Sequence, residues 1–581
     1  MLPLSPRNQA APPWAGSESQ AARGLPRHRS LRRPRLTVEG LLLLGSAWFL
    51  LSANGRFLAA ALAGRPPGSA STWGFALALG AGIFALHLLL MLPLASRMTA
   101  KPLLALLIVA SALAGYYMGQ YGVYLDPTMM RNVLHTDWRE ARELLAPSLW
   151  LHLAVFAGAP LLLLWRIELE PMRVKRAVAR RLALAAAAIA VLALALLSIF
   201  QPLASLMRNQ RELRYLVTPA NIVWSMGSVG AGDARAHSKA RRVIGQDARP
   251  GPSWASSTKP RLLVLVVGET VRSANWGLSG YERQTTPELA QLAREQPLLN
   301  FASVKACGTN TETSLPCMFA AVGRRDYDEA TIRGSQSLLH VLARAGVGVT
   351  WRDNQSGCKG VCEGLPTQSV RELGASGGTT SFCTDGQCLD EGLLHGLPEM
   401  LKQLHGTQLL VLHMLGNHGP AYFRRYPPAY ARFQPACQSD DLGRCTTAEI
   451  VNAYDNALLY TDHLLAQLIR TLQAQAASVD SAVVFVSDHG ESLGESKLFL
   501  HGLPYAIAPD VQKQVPMLMW FSKGFASDRG LDLACLRDRS RLPAAHDHLF
   551  HTLLGLLDVR TSLYAPDWDL SQGCRSDGVE Q

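Results

Sequence analysis

Up to about residue 205 this chain carries five apolar runs, at Leu41–Leu62, Phe75–Ala95, Leu103–Tyr121, Leu149–Trp165 and Leu182–Leu203. Each is near the ~20 residues that a bilayer's hydrocarbon core demands of a helix. In lipid every backbone polar group must be satisfied within its own segment, so such runs commit this third of the chain to membrane helices. The first run is not a cleaved signal peptide, because the segment before it is too long and its flanks are wrong.

Charge sets the expected orientation. The net charge of +11 is concentrated beside the apolar runs, in the tail (Arg23, Arg27, Arg29, Arg32, Arg33, Arg35) and in the loop from Arg166 to Arg181. That placement points to membrane topology, with no nucleic-acid partner expected, because basic loops flanking a span mark the inner side. With those segments inside, five crossings put everything after about residue 205 outside. All ten cysteines lie in that outer part, eight of them as close pairs: Cys307/Cys317, Cys358/Cys362, Cys383/Cys388 and Cys437/Cys445. Cys535 and Cys574 remain for a fifth. An even count in local pairs reads as disulfides of an oxidising compartment. Zinc clamps are the alternative, but the spacings beyond Cys358/Cys362 are irregular.

Between the third and fourth runs, Pro127–Leu145 reads as one amphipathic helix lying on the bilayer surface. On one such helix Asn132, Thr136 and Glu140, at i, i+4 and i+8, would share a face. From Arg208 to about Pro260 the chain reads as a short helix and a linker. The expected division is a basic tail (1–36), a transmembrane domain (37–205), helix and linker (206–260) and a soluble domain (261–581).

In the soluble part, short apolar runs read as buried strands: Leu262–Val267, Val347–Trp351, Leu409–Leu415, Ala482–Val486 and Val515–Phe521. Helical patterns at Pro287–Glu295, Gln336–Ala345 and Ala448–Gln473 alternate with them. The expected fold is α/β with a largely parallel central sheet, whose ligands collect beyond the carboxyl ends of the strands. Two segments follow such ends: Val267-Gly268-Glu269-Thr270 and Ser487-Asp488-His489-Gly490-Glu491. A third, Cys307-Gly308-Thr309-Asn310-Thr311, opens a hydroxyl-rich loop that a Cys307–Cys317 disulfide would brace. Taken singly each is what an ordinary loop shows. Together Glu269, Asp488 and His489 can fill three positions around a zinc ion and leave the fourth to a hydroxyl. Metal binding turns a weak hydroxyl into a useful nucleophile. A helix opening at Thr311 would also offer free N–H groups to a phosphate.

The chain resembles the lipid A phosphoethanolamine transferases, including the colistin-resistance enzymes, which are relatives of alkaline phosphatases and sulfatases. The resemblance runs from about residue 40 and rests on several further segments besides these three. They are Leu278-Ser279-Gly280-Tyr281, Ser314-Leu315-Pro316-Cys317-Met318-Phe319, Trp351-Arg352-Asp353-Asn354, the run from Met414 to Phe423, and Asn452-Ala453-Tyr454-Asp455-Asn456. It implies Glu269, Thr311, Asp488 and His489 as zinc ligands, with Thr311 the nucleophile. It implies Lys359, His418 and His501 near the phosphate or a second zinc. Asn132, Thr136 and Glu140 would meet the donor head group, in place of the surface helix that spacing alone favours. His413 is assigned to the core or to a supporting position. The implied reaction takes phosphoethanolamine from phosphatidylethanolamine to a phosphate of lipid A. It would run in the periplasm, on a monomer in a bacterial inner membrane, and would confer resistance to polymyxin and other cationic peptides. Another glycan acceptor (inner-core sugar, periplasmic glucan) or hydrolysis of a phosphate or sulfate ester are the alternatives. A sulfatase would want Cys or Ser where Thr311 stands. The tail is longer and more basic than the family's, and the Gln355–Cys358 stretch varies within it.

Overall fold

The computed structural model describes residues 33–237, 241–376, 382–384 and 387–575. Most of the expected basic tail, residues 1–32, lies outside them. The membrane half begins with α1 (Val38–Ala53), α2 (Gly55–Leu62), α3 (Ala70–Met91) and α4 (Ala100–Tyr121). After the connecting α5 (Pro127–His135) and α6 (Trp138–Glu143) come α7 (Pro147–Leu153), α8 (Ala159–Arg166) and α9 (Val174–Ser198). Among the described residues four stretches are long and apolar enough to cross a membrane: α3, α4, Pro147–Arg166 and α9. The α1–α2 pair makes a fifth only if its 59° bend is counted as one span. The single first run expected from the sequence is therefore broken at Asn54. Its amide nitrogen donates to Phe49 O at 2.8 Å and Thr218 O at 2.7 Å, and its oxygen accepts Thr218 N–H at 3.1 Å. An asparagine side chain that bonds backbone in this way competes with the helix ladder.

Two further expectations need correction. Pro127–Leu145 is two helices, because Thr136 is extended (φ −68°, ψ 128°) and Asp137 Oδ1 accepts Glu140 N–H at 3.0 Å, starting the second. Asn132, Thr136 and Glu140 therefore do not share one continuous helical face. The stretch after Arg208 is also more ordered than a linker: an 18-residue helix, α10 (Ala220–His237), follows a 3₁₀ turn at Arg211–Leu216.

The half after the membrane helices is built on an eight-stranded sheet. In chain order its strands are β1 (Arg261–Gly268), β2 (Leu299–Lys305), β3 (Gly348–Asp353), β4 (Thr367–Ser369), β5 (Thr407–His413), β6 (Asp480–Ser487), β7 (Gln514–Phe521) and β8 (Ala544–Ala545). Their order across the sheet is β8-β2-β7-β6-β1-β5-β3-β4. Only β7 runs against the others. The sheet is the largely parallel one expected, with three strands that the apolar-run reading passed over: the seven-residue β2 and the short edge strands β4 and β8. β1 is buried on both faces. Leu263, Leu265 and Val267 enter one core cluster, and Leu262, Val264 and Val266 the other, as a period of two requires.

The two halves are joined by charge as well as by packing. Glu143, on α6, forms an almost fully buried ion pair with Arg425, whose Nε also donates to His418 O at 2.7 Å. Ser148 Oγ donates to Asp441 at 2.9 Å. Removing one partner of a buried pair leaves the other charge unpaired, at a cost of about 3–5 kcal/mol. Arg425→Ala should therefore lower the thermal midpoint of the detergent-solubilised chain by several degrees. An Arg425→Met, Glu143→Leu double variant should recover most of the loss. An unchanged midpoint in Arg425→Ala would mean that the pair contributes nothing to stability.

Candidate active site

Strand register assembles the site. β1 and β6 run parallel with Gly268 opposite Ser487, so the next residues, Glu269 and Asp488, leave the sheet side by side. His413, at the end of β5, stands opposite Val267. The third contribution is a helix, α11 (Thr311–Met318), whose N-cap Asn310 accepts Thr313 N–H at 2.9 Å. It puts Thr311 at the helix N-terminus. Gly308 lets this turn close, since a Cβ there would stand 2.8 Å from Ser314 N. His546 braces it from below: its Nδ1 accepts Cys307 N–H at 3.1 Å and its Nε2 donates to Ser487 O at 2.9 Å.

The structure brings Glu269, Thr311, Asp488 and His489 together. Thr311 Oγ1 donates to Glu269 Oε2 at 3.1 Å and lies 3.3 Å from His489 Nε2. His489 Nε2 is 3.4 Å from Glu269 Oε1 and 3.3 Å from Asp488 Oδ2. Glu269, Asp488 and His489 are fully buried, and their ligand atoms lie within 4.8 Å of one another. Glu269 Oε1 and Asp488 Oδ2 accept no hydrogen bond. Two buried carboxylates and an imidazole, with a lone pair left over on each acid, form a donor set that fits a divalent cation. Charge crowding shifts the proton affinities of these groups. Burial, then the neighbouring Glu269 charge, pushes the Asp488 carboxyl up to about 7. Burial opposes charging His489, but the two carboxylates outweigh it and push the imidazole up to about 10.

Around this centre the backbone is held in unusual conformations. Thr270 (φ 54°) and Lys359 (φ 48°) are left-handed, a conformation that costs a non-glycine residue energy and clusters at functional sites. Thr270 is pinned by Asp488 Oδ1, which accepts its N–H at 3.2 Å, and by Tyr454, whose hydroxyl donates to Thr270 O at 2.6 Å. The Met414–His418 turn lies against Glu269, and at Gly416 (φ 51°) a Cβ would stand 2.8 Å from Glu269 O. Asp390 holds that turn by accepting Leu415 and Gly416 N–H, both at 2.8 Å.

The other expected residues take distinct places. The His501 ring packs on His489 at 4.4 Å and on His418 at 5.6 Å, with His501 Nδ1 3.4 Å from Glu491. His418 Nδ1 has no hydrogen-bond partner. Lys359 Nζ donates to Ser356 Oγ at 2.7 Å, which gives the variable Gln355–Cys358 stretch a contact. Glu140 sits close enough to Lys359 and Glu269 to feel their charge, and burial pushes its carboxyl up to about 7 against the pull of Lys359. Thr136 Oγ1 is engaged with Asn132 O at 2.7 Å. His413 is fully buried, with Nδ1 2.7 Å from Asp353.

Sequence reading passed over Glu312, which follows Thr311 directly. It is 1% exposed and lies 3.0 Å from Arg333, 3.1 Å from His135 and 4.0 Å from Lys359. A cavity of about 570 Å³ opens beside it, lined also by Ser356, Arg333 and Lys359. Its place in the hydroxyl-rich loop was the available signal. A carboxylate there gains meaning only from the distant cations folded around it.

All five cysteine pairs form disulfides: Cys307–Cys317, Cys358–Cys362, Cys383–Cys388, Cys437–Cys445 and Cys535–Cys574. The first closes a short loop around Thr311, and loop-closure entropy assigns it about 2–3 kcal/mol. A Cys307→Ser, Cys317→Ser variant should melt several degrees lower than wild type under non-reducing conditions. Equal midpoints would remove the brace.

Residues 83–234 match the family described as phosphoethanolamine transferase EptA/EptB, and residues 261–559 match the sulfatase family. The chain is 36% identical over 552 residues to phosphoethanolamine transferase EptA of Escherichia coli K12, covering 94% of this chain and 99% of that one. It is 36% identical over 497 residues to phosphatidylethanolamine transferase Mcr-1 of Escherichia coli, covering 84% and 90%. The solved structure of the integral membrane lipooligosaccharide phosphoethanolamine transferase A from Neisseria meningitidis superimposes with a TM-score of 0.87. That match has 35% identity over 93% of this chain and 100% of that one. With its helical membrane half and its alkaline-phosphatase-like sheet, this chain belongs to the EptA/EptB family of phosphoethanolamine transferases.

Proposed function

We propose that this enzyme transfers phosphoethanolamine from phosphatidylethanolamine to a phosphate of lipid A, through a covalent adduct on Thr311, at the periplasmic face of a bacterial inner membrane. The observation that carries this reading is the Thr311 hydroxyl at a helix N-terminus, touching Glu269 and His489 in a cluster with two orphaned carboxylate oxygens. The acceptor class is suggested by similar proteins whose names carry it, one for lipooligosaccharide and one for Kdo(2)-lipid A.

Thr311 Oγ1 attacks the phosphorus of the donor. Its proton goes to Glu269 Oε2, the acceptor it already touches. The new O–P bond replaces the one to diacylglycerol, whose oxygen takes a proton from Lys359 or His501 and leaves as the alcohol. An oxygen of a lipid A phosphate then attacks the same phosphorus, the Thr311 O–P bond breaks, and the hydroxyl is restored. Splitting one displacement into two is what a side-chain nucleophile supplies. Zinc fits the donor set, and bound by Glu269, Asp488, His489 and Thr311 it would offset phosphoryl charge and favour the ionised hydroxyl. Lys359 and His501 would add positive charge or exchange protons with the leaving and entering oxygens, and His418, which burial keeps neutral, would offer them a hydrogen-bonding partner. The Thr311 helix adds its own N–H groups. Glu140, close enough to feel the Lys359 and Glu269 charges, would meet the donor head group, together with Asn132 and Thr136 from the preceding turn. Anchoring in the bilayer raises the effective concentration of a donor that cannot leave it. An amine added to an acidic glycolipid weakens its attraction for cationic peptides such as polymyxin.

Lipid A masses from cells with and without this chain test the reading. A phosphoethanolamine increment on lipid A that Thr311→Ala abolishes supports it. An increment found only on core sugars or glucans would move the acceptor.

A further inference from the structure

The membrane half contains a cleft of about 920 Å³ between α1, α4 and α8, at the end of these helices remote from the catalytic half. The polarity is set by α4 and α7. Tyr121, ending α4, joins the core of the catalytic half, and Ser148, starting α7, bonds Asp441. The cleft is lined instead near the start of α4, by Leu104 and Ile108, and at the end of α8, by Leu163 and Leu164. Leu44 and Trp48 of α1 complete apolar walls. Leu44 (55% exposed) and Leu163 (66%) leave it open on the side where acyl chains lie.

Its mouth is polar and built. Arg35–Leu36 pairs in parallel with Glu168–Leu169, with Glu168 N–H donating to Pro34 O at 2.9 Å and Glu170 N–H to Leu36 O at 3.0 Å. This staple holds the segment before α1 across the end of α8, so that Arg33 and Arg166 both line the opening. The Arg33 guanidinium lies 5.6 Å from the Trp165 ring centre. Glu168 stands 4.0 Å from Arg33 and 3.6 Å from Arg35. Against Arg33, Arg35 and Arg166 stand Glu168 and Glu170, so the balance at the mouth is positive. The floor is shaped by the close approach of α1 to α4 at Gly45, where a Cβ would lie 2.6 Å from Leu104.

We propose that this cleft binds an anionic glycerophospholipid, with an acyl chain between α1 and α8 and its phosphate between Arg33 and Arg166. An apolar cleft open to hydrocarbon takes an acyl chain, and a basic mouth between helices on the inner side selects an anionic head group. The ammonium of a zwitterionic lipid would meet the same arginines unfavourably. The site is separate from the transfer chemistry and stands whatever the acceptor is.

Native mass spectrometry of the full chain in detergent, titrated with phosphatidylglycerol and separately with phosphatidylethanolamine, tests this. Wild type should bind one phosphatidylglycerol roughly tenfold more tightly than phosphatidylethanolamine, and Arg33→Ala with Arg166→Ala should erase that preference. Leu163→Trp, which fills the cleft and leaves the charges, should weaken binding of both lipids at this site. A wild type without preference, or a double variant that keeps it, overturns the proposal. If the double variant does not survive purification, the wild-type comparison and Leu163→Trp decide alone.

Discussion

Thr311→Ala is expected to reduce transfer by roughly 10⁴-fold or more, the scale on which removal of a covalent nucleophile acts. The loss should fall on turnover. Stability should change little, because Thr311 sits at the first position of its helix while Asn310 supplies the cap. Metal content should largely persist, since Glu269, Asp488 and His489 remain. Zinc measured on the purified variant beside a transfer assay separates the two roles. Transfer within tenfold of wild type would remove Thr311 from the chemistry.

Glu269→Gln should have an effect of similar size by a different route. The substitution keeps the side chain's shape and removes one of the two carboxylates whose oxygens converge without partners. Zinc affinity should fall by more than about 100-fold, beyond what loss of a supporting partner costs. Activity should fall with it and return in part at high zinc. Chelation of wild type should reproduce the loss, and added zinc should reverse it. Full metal content and activity in Glu269→Gln would contradict the ligand set. Zinc retained without activity would assign Glu269 to proton transfer alone.

Much of this site is legible in the chain because parallel strands end in register. Apolar runs ending at Val267 and Val486 bring Glu269 and Asp488 to one edge once the two strands pair, and they do. The membrane runs and four of the cysteine pairs are legible because they are local in sequence, while Cys535 and Cys574, 39 residues apart, were the two left over. What escaped depends on contacts between distant segments. The bend at Asn54 requires Thr218, 164 residues away. The break at Thr136 is the local exception: Thr136 Oγ1 donates to Asn132 O and Asp137 Oδ1 accepts Glu140 N–H, which override an amphipathic pattern that runs on without interruption. Glu312 reads as a charged residue in a polar loop until His135, Arg333 and Lys359 close on it. Strands β4 and β8, of three and two residues, are too short to show a period.

The most direct test is to mix the purified full-length enzyme with phosphatidylethanolamine in the absence of acceptor, quench, and map the peptides by mass spectrometry. A phosphoethanolamine adduct on Thr311, absent from Glu269→Gln and discharged when lipid A is added, is the expected result. An unmodified Thr311 with the adduct on another side chain, or donor turnover that leaves no adduct at all, would contradict it.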